Sequence, residues 1–137
     1  MVRIYIASNR SARARKVMDA LRSNGHEIVY DWTENYDEHD SAQKAIAERD
    51  AIRRADLLVL LWHPDAESAR FEAGMAMGLG KQVIVAGAPD SFFYNLPDIT
   101  RVSADDEVVN AVMTWSFRHR PRTWKGQNYE YLIKQPV

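Results

Sequence analysis

Residues 57–61 read Leu-Leu-Val-Leu-Leu and residues 83–86 read Val-Ile-Val-Ala, with no polar side chain in either run. A strand with one wet face alternates apolar and polar residues, so a short run that never alternates belongs to a strand covered on both sides. Such strands occur in parallel sheets, whose connections are crossovers and usually helices. The rest of the chain must therefore supply helices for both faces of a sheet.

The remaining pattern does so. Runs rich in β-branched residues at 2–7, 27–32, 57–62 and 82–86, with a weaker one at 99–103, are the expected strands. Between the first two, Ala14, Val17, Met18 and Leu21 fall at helical spacing, and Asn24-Gly25 supplies a stop. A second helix is expected over 41–55, with a thin apolar face of Ala45, Ile46 and Ile52. Phe71, Gly74, Met75 and Gly78 give a third helical stripe, read as the face that presses on the sheet, with Gly80 near its end. Val108, Val112 and Trp115 mark a fourth, with Ser103 as its N-cap and Asp105, Asp106 and Glu107 in its first turn. Single helices alternating with strands predict right-handed crossovers and an α/β fold: a flavodoxin-like or Rossmann-like three-layer sandwich on a five-stranded, mainly parallel sheet.

Charge and composition narrow the function. Eighteen Lys and Arg stand against nineteen Asp and Glu, a formal net charge of −1, which argues against a nucleic-acid partner bound by overall phosphate neutralisation. The absence of Cys excludes disulfides and thiolate sites. The apolar run at 2–7 is too short for a secretory leader and leads into Arg10, Arg13 and Arg15, and no run approaches the ~20 apolar residues of a membrane helix. A cytoplasmic protein with no membrane partner is the expectation. The α/β domain is assigned to residues 1–117. The aromatic and cationic stretch 118–137 is read as a tail packing on the domain or on a partner subunit.

In an open parallel sheet, ligands bind beyond the carboxyl ends of the strands. After the first strand, Ser8-Asn9-Arg10-Ser11 runs into a helix N-terminus, where free N–H groups and the dipole favour an anion; the plainer reading is that Asn9 or Ser11 caps the helix. The turn has neither Gly-x-Gly-x-x-Gly nor a Walker lysine, which disfavours dinucleotide binding and P-loop hydrolysis. After the third strand, Glu72 is read into the first turn of the third helix, where helical N–H groups would keep it ionised. The four histidines lack metal-ligand spacing and no Gly-x-Ser-x-Gly elbow exists, so no metal, no cofactor and no serine nucleophile is expected. Trp32, after the second strand, is a candidate stacking surface for a ring.

Tyr5 in the first strand, Ala55-Asp56 before the third, and the string Glu72-Ala-Gly-Met-Ala-Met-Gly-Leu-Gly-Lys81 together resemble the nucleoside 2-deoxyribosyltransferase family, which includes deoxynucleoside 5′-monophosphate N-glycosidases. The resemblance spans residues 2–112. It implies that Glu72 attacks the anomeric carbon of a deoxyribose and displaces the base, that Tyr5 orients it, and that a second carboxylate assists. Helical register assigns that second role to Glu48, and side-chain type assigns it to Asp50. It further implies phosphate or sugar contacts from Ser8, Asn9, Arg10, Ser68 and Arg70, and a nucleoside or nucleotide substrate. A homo-oligomer, dimer or higher, follows in which the aromatic segment 91–96 meets a neighbouring subunit. Two other readings stand beside it: a non-catalytic nucleotide-binding module, and an NAD-cleaving enzyme resembling Toll/interleukin-receptor domains. The glycine pattern after Glu72 favours the transferase family over the last.

Overall fold

The computed structural model describes residues 1–34 and 40–119. Five parallel strands, β1 (Arg3–Ala7), β2 (Glu27–Ile28), β3 (Leu57–Leu61), β4 (Gln82–Ala86) and β5 (Ile99–Val102), form one sheet in the order β2-β1-β3-β4-β5. Tyr5 lies beside Leu58, and Val59 beside Ile84. The helices are α1 (Ser11–Ser23), α2 (Ser41–Arg54), α3 (Glu67–Gly78) and α4 (Val108–Arg118). α1 packs with α4 on one face and α2 with α3 on the other, which is the expected three-layer sandwich. Every residue of β3 is buried, as its unbroken apolar run requires.

The strand order reverses between β1 and β3. The chain leaves β1 through α1 towards β2, then returns through α2 over the opposite face to β3. The connections diverge there, and the crevice at their carboxyl ends is where such folds hold ligands.

Several local expectations change. The second strand is two residues long rather than six. After Val29 donates to the Ile4 carbonyl, the next outward carbonyl of β1, that of Ile6, accepts at 2.7 Å from the Trp32 indole Nε1. A side chain thus replaces the ladder, and Asp31 turns the chain by accepting from the Thr33 backbone N–H. Ser103 does not cap α4. Instead Asp105–Glu107 form a 3-10 turn in which the Glu107 carboxylate accepts from the backbone N–H groups of Ser103 and Ala104. Nor does the stripe of Phe71, Gly74, Met75 and Gly78 face the sheet. The buried side of α3 is Ala69, Glu72, Ala73 and Ala76, with Phe71, Gly74, Met75 and Gly78 outward. The small alanines bring the helix axis close to β3, and Glu72 comes inward with them. α4 runs through Arg118, one residue past the expected boundary, and His119 stacks on Trp115; the rest of the expected tail lies outside the described residues.

Two cations brace the frame. Arg13 donates to the Trp62 carbonyl at 2.6 Å and grips Asp105 at 2.7 and 2.8 Å, tying α1 to the ends of β3 and of β5. Lys81, the last residue of the glycine-rich string, donates from Nζ to the carbonyls of Arg53 and Ala55 at 2.8 and 2.6 Å. These lie at the C-terminus of α2, where carbonyls lack helical partners and a cation is favoured. Gly80, at φ +74°, makes the turn that delivers the lysine. Lys81→Met is expected to lower stability by about 1–3 kcal/mol, because charge-assisted bonds to those carbonyls are lost. Urea unfolding measures it, and an unchanged midpoint would show that water caps α2 equally well.

Candidate active site

A cavity of about 350 Å³ opens at the β1–β3 crevice, lined by Ser8, Asn9, Ser11, Trp32, Glu48, Ser68 and Glu72. Each comes from an element that the sheet order brings there. Ser8 and Asn9 follow β1, Ser11 opens α1, and Ser68 is the second residue of α3. Glu48 lies in mid-α2, and the indole of Trp32 is fixed by its bond to Ile6.

Glu72 is one turn further into α3 than the sequence suggests, the sixth residue of the helix rather than a first-turn residue. The helix N-terminus therefore does not hold it ionised. It is only 8% exposed, the one buried ionisable carboxylate among the described residues. Burial pushes its pKa up to about 8; the hydrogen bond from the Tyr5 hydroxyl to Oε2 pulls the other way, and the charge of Glu48 adds to the rise. Tyr5 is wholly buried in β1, and burial, then the Glu72 charge, raise its own pKa far above the phenolic range. The hydroxyl is thus a permanent donor. Glu48 is half-buried, and burial raises its carboxyl above the usual range while Lys44 opposes the rise.

The two candidates for the second carboxylate part company here. Glu48 lines the cavity; Asp50 points outward and pairs with Arg53 at 3.4 Å. Two arginines expected at the cavity are turned aside. Arg10 reaches His63 Nε2 at 3.1 Å and Asp65 at 3.5 Å, and Arg70 donates to the carbonyls of His63 and Pro64 at 2.9 and 3.3 Å. Neither lines the cavity. Asp56 pairs with Arg3 at 3.0 Å at the opposite sheet edge, a structural role. Ser11, not singled out as a ligand residue, does line the cavity; its signal was its place directly after the β1 turn.

Neither α1 nor α3 has a side-chain N-cap, whereas α2 carries a complete capping box of Asp40 and Gln43. The plainer reading of Asn9 or Ser11 as a cap is thus not realised. The two helices without a side-chain cap are those whose first turns line the cavity, through Ser11 and Ser68, a disposition suited to an anion.

A sequence profile described as nucleoside 2-deoxyribosyltransferase matches residues 4–95, about two thirds of the chain. The chain belongs to the nucleoside 2-deoxyribosyltransferase family. Membership makes it an enzyme of glycosidic-bond cleavage or transfer in general, acting on nucleosides or nucleotides. The solved structure of the Clostridium botulinum CMP N-glycosidase BcmB shares the fold, with a TM-score of 0.58 at 18% identity, over 81% of this chain and 98% of that one. No curated protein matches the chain in sequence. The family match includes Tyr5, Glu48 and Glu72, and it ends at Asn95 on the 3-10 turn Phe92–Asn95, where Phe92 and Phe93 are exposed and Tyr94 is buried. Among the described residues, no helix is long and apolar enough to cross a membrane.

The raised Glu72 pKa has a consequence for folding. The folded state holds the proton more tightly than the unfolded chain, in which a glutamate titrates near 4.3, so this contribution to stability is full below that value and lost as pH rises through about 8. Glu72→Gln is expected to flatten that decline and to be the more stable protein at pH 9, as read by thermal unfolding across pH. Parallel curves for the two proteins would mean that the carboxyl ionises freely.

Proposed function

We propose that the chain cleaves the N-glycosidic bond of a 2′-deoxynucleoside 5′-monophosphate through a covalent glutamyl–deoxyribosyl intermediate on Glu72, passing the sugar to water or to a second base. The observation that carries this reading is a buried carboxyl, held by Tyr5, facing a second carboxyl, Glu48, in a cavity entered by two uncapped helix N-termini. Free helical N–H groups suit the 5′-phosphate, with Ser8, Asn9, Ser11 and Ser68 beside them. The Trp32 ring is a surface for the base.

In the first step an ionised Glu72 oxygen bonds to C1′ as the C1′–N bond breaks; the bonding pair leaves with the base, which takes a proton from Glu48. In the second, water attacks C1′ as Glu48 takes its proton, and Glu72 leaves as carboxylate; a second base in place of water gives transfer. In the unliganded protein the more buried Glu72 holds the proton near neutrality, so the reactive form has that proton on Glu48 instead. Tyr5 is a positioning residue whose hydrogen bond favours the ionised nucleophile.

Two results test this. Incubation with each deoxynucleoside, each 5′-monophosphate and NAD is expected to release base fastest from a monophosphate. Glu72→Gln should lower that rate by several orders of magnitude, each tenfold being about 1.4 kcal/mol of barrier. Release of nicotinamide, binding without turnover, or a Glu72→Gln rate equal to wild type each defeats the proposal. Second, the two carboxyls must share one proton, so kcat/KM is expected to fall as pH rises through about 8, where that proton is lost. Tyr5→Phe removes a bond that lowers the Glu72 pKa and should move the fall to higher pH. Glu48→Gln removes the proton donor and should lower kcat and abolish the fall, leaving a rate that grows as Glu72 ionises. Asp50→Asn should leave the fall in place.

A further inference from the structure

We propose that His63 is a positioning residue that keeps the Arg10 guanidinium outside the cavity, so that helix ends and not a cation receive the substrate's anion; this rests on the reading of the cavity given above. Arg10 is the N-cap residue of α1 and stands between Asn9 and Ser11, which both line the cavity. An arginine at that place has the cavity within reach, and the carboxyls there, Glu48 and Glu72, would attract it. Yet its Nη2 lies across the β1–β3 crevice on the loop after β3, 3.1 Å from His63 Nε2 and 3.5 Å from Asp65 Oδ2.

The histidine is what holds it there. The contact with Asp65 is long and joins side chains that are 50% and 72% exposed, a kind of pair that contributes little. His63 is the less exposed partner and makes the shorter contact. Arg10 can only donate, so Nε2 has to be the bare nitrogen of the ring. Nδ1, however, lies 3.1 Å from the backbone nitrogen of Asp65, which also only donates. A neutral imidazole has one bare nitrogen and an imidazolium has none. The ring therefore accepts from Arg10 or from the Asp65 backbone, never from both. With its proton on Nδ1, which is 3.7 Å from Asp65 Oδ2, it holds Arg10; with a proton on Nε2 it releases Arg10.

The other cations nearby do not depend on this ring. Arg70 bonds the His63 carbonyl, and Arg13 bonds the Trp62 carbonyl and Asp105. A change at the imidazole thus frees Arg10 alone and leaves the loop anchored through its backbone. A freed guanidinium among Ser8, Asn9 and Ser11 would add a charge-assisted contact to a phosphate. It would also oppose the positive charge that develops on the sugar. Losing the His63 ring should therefore improve binding and harm turnover, the reverse of what damage to the fold would do.

Two measurements test this, the first without turnover. Nitrogen-15 NMR of the neutral His63 ring reports which nitrogen carries the proton. It is expected on Nδ1 in the wild type and on Nε2 in Arg10→Ala, where the Asp65 backbone is the donor left to the ring. The same tautomer in both proteins overturns the proposal. The second is steady-state kinetics on deoxynucleoside 5′-monophosphates. His63→Leu is expected to lower KM about tenfold, the worth of one charge-assisted contact, and to lower kcat about tenfold through the repulsion of one unit charge. Adding Arg10→Ala to His63→Leu should undo both changes, and His63→Gln, whose amide oxygen can accept from Arg10, should show neither. A His63→Leu protein whose KM is unchanged or raised overturns the proposal, as does a double variant that behaves like His63→Leu. If no monophosphate is cleaved, the function proposed above fails by itself, and calorimetry with inorganic phosphate makes the same comparison. Tighter binding by His63→Leu than by the wild type or the double variant supports the role of His63, and equal binding overturns it.

Discussion

The hydrogen bond from Tyr5 to Glu72 joins the first strand to the helix that follows the third, and the chemistry of the cavity depends on it. A carboxyl with apolar strands beneath it is poorly solvated when charged, and its pKa rises accordingly. One neutral donor offsets part of that rise without fixing the charge, as an arginine would. The group is left able to hold or lose a proton near physiological pH, and it stays pointed at the cavity in either state. A surface glutamate would be charged throughout and as free to turn away as to react.

The position of that bond follows from the strand order. β1 and β3 are neighbours whose outgoing connections travel to opposite faces, so the space between them is bounded by α1 on one side and by α2 and α3 on the other. The cap inventory separates the helix ends that serve the fold from those that serve the cavity. α2 begins away from it with a full capping box and ends on Lys81, while α1 and α3 begin beside it with no side-chain cap. Each missing side-chain cap costs about 1 kcal/mol, which a bound anion would offset.

The strands and α1 were legible in the sequence because each is tied to one environment. β3 has no polar residue and is buried throughout, and Ala14, Val17, Met18 and Leu21 are the buried face of α1. α3 was legible as a helix and misread as to its face. Two apolar or small stripes share its 12 residues, and periodicity alone does not say which turns inward. The inward stripe holds a glutamate, which ordinary burial preferences place outside. The second strand was over-extended for a similar reason: residues 29–32 have strand composition, and the Trp32 indole occupies the carbonyl that a longer strand would use. At the site, Tyr5, Ser8, Asn9, Trp32, Glu48, Ser68 and Glu72 converge as a set, whereas Arg10, Asp50 and Arg70 have the right charge for their proposed tasks and the wrong direction. Long, exposed side chains find their partners in tertiary detail that sequence spacing does not carry.

The arginines that turn away are consistent with the reaction proposed. Displacing a base from deoxyribose develops positive charge on the sugar, so a guanidinium beside C1′ would oppose the transition state and a pair of carboxylates would favour it. Arg10, Arg13 and Arg70 are each held on carbonyls or carboxylates of the β3–α3 loop, the strand ends or the 105–107 turn, and none lines the cavity. Neutral amide N–H groups can hold a phosphate with less field at the sugar than a cation brings. They also leave Glu72 without a counter-charge that would pin it as a stable, unreactive ion. Replacing either carboxyl by a neutral amide should therefore harm the positive transition state more than substrate binding, and so act on kcat before KM.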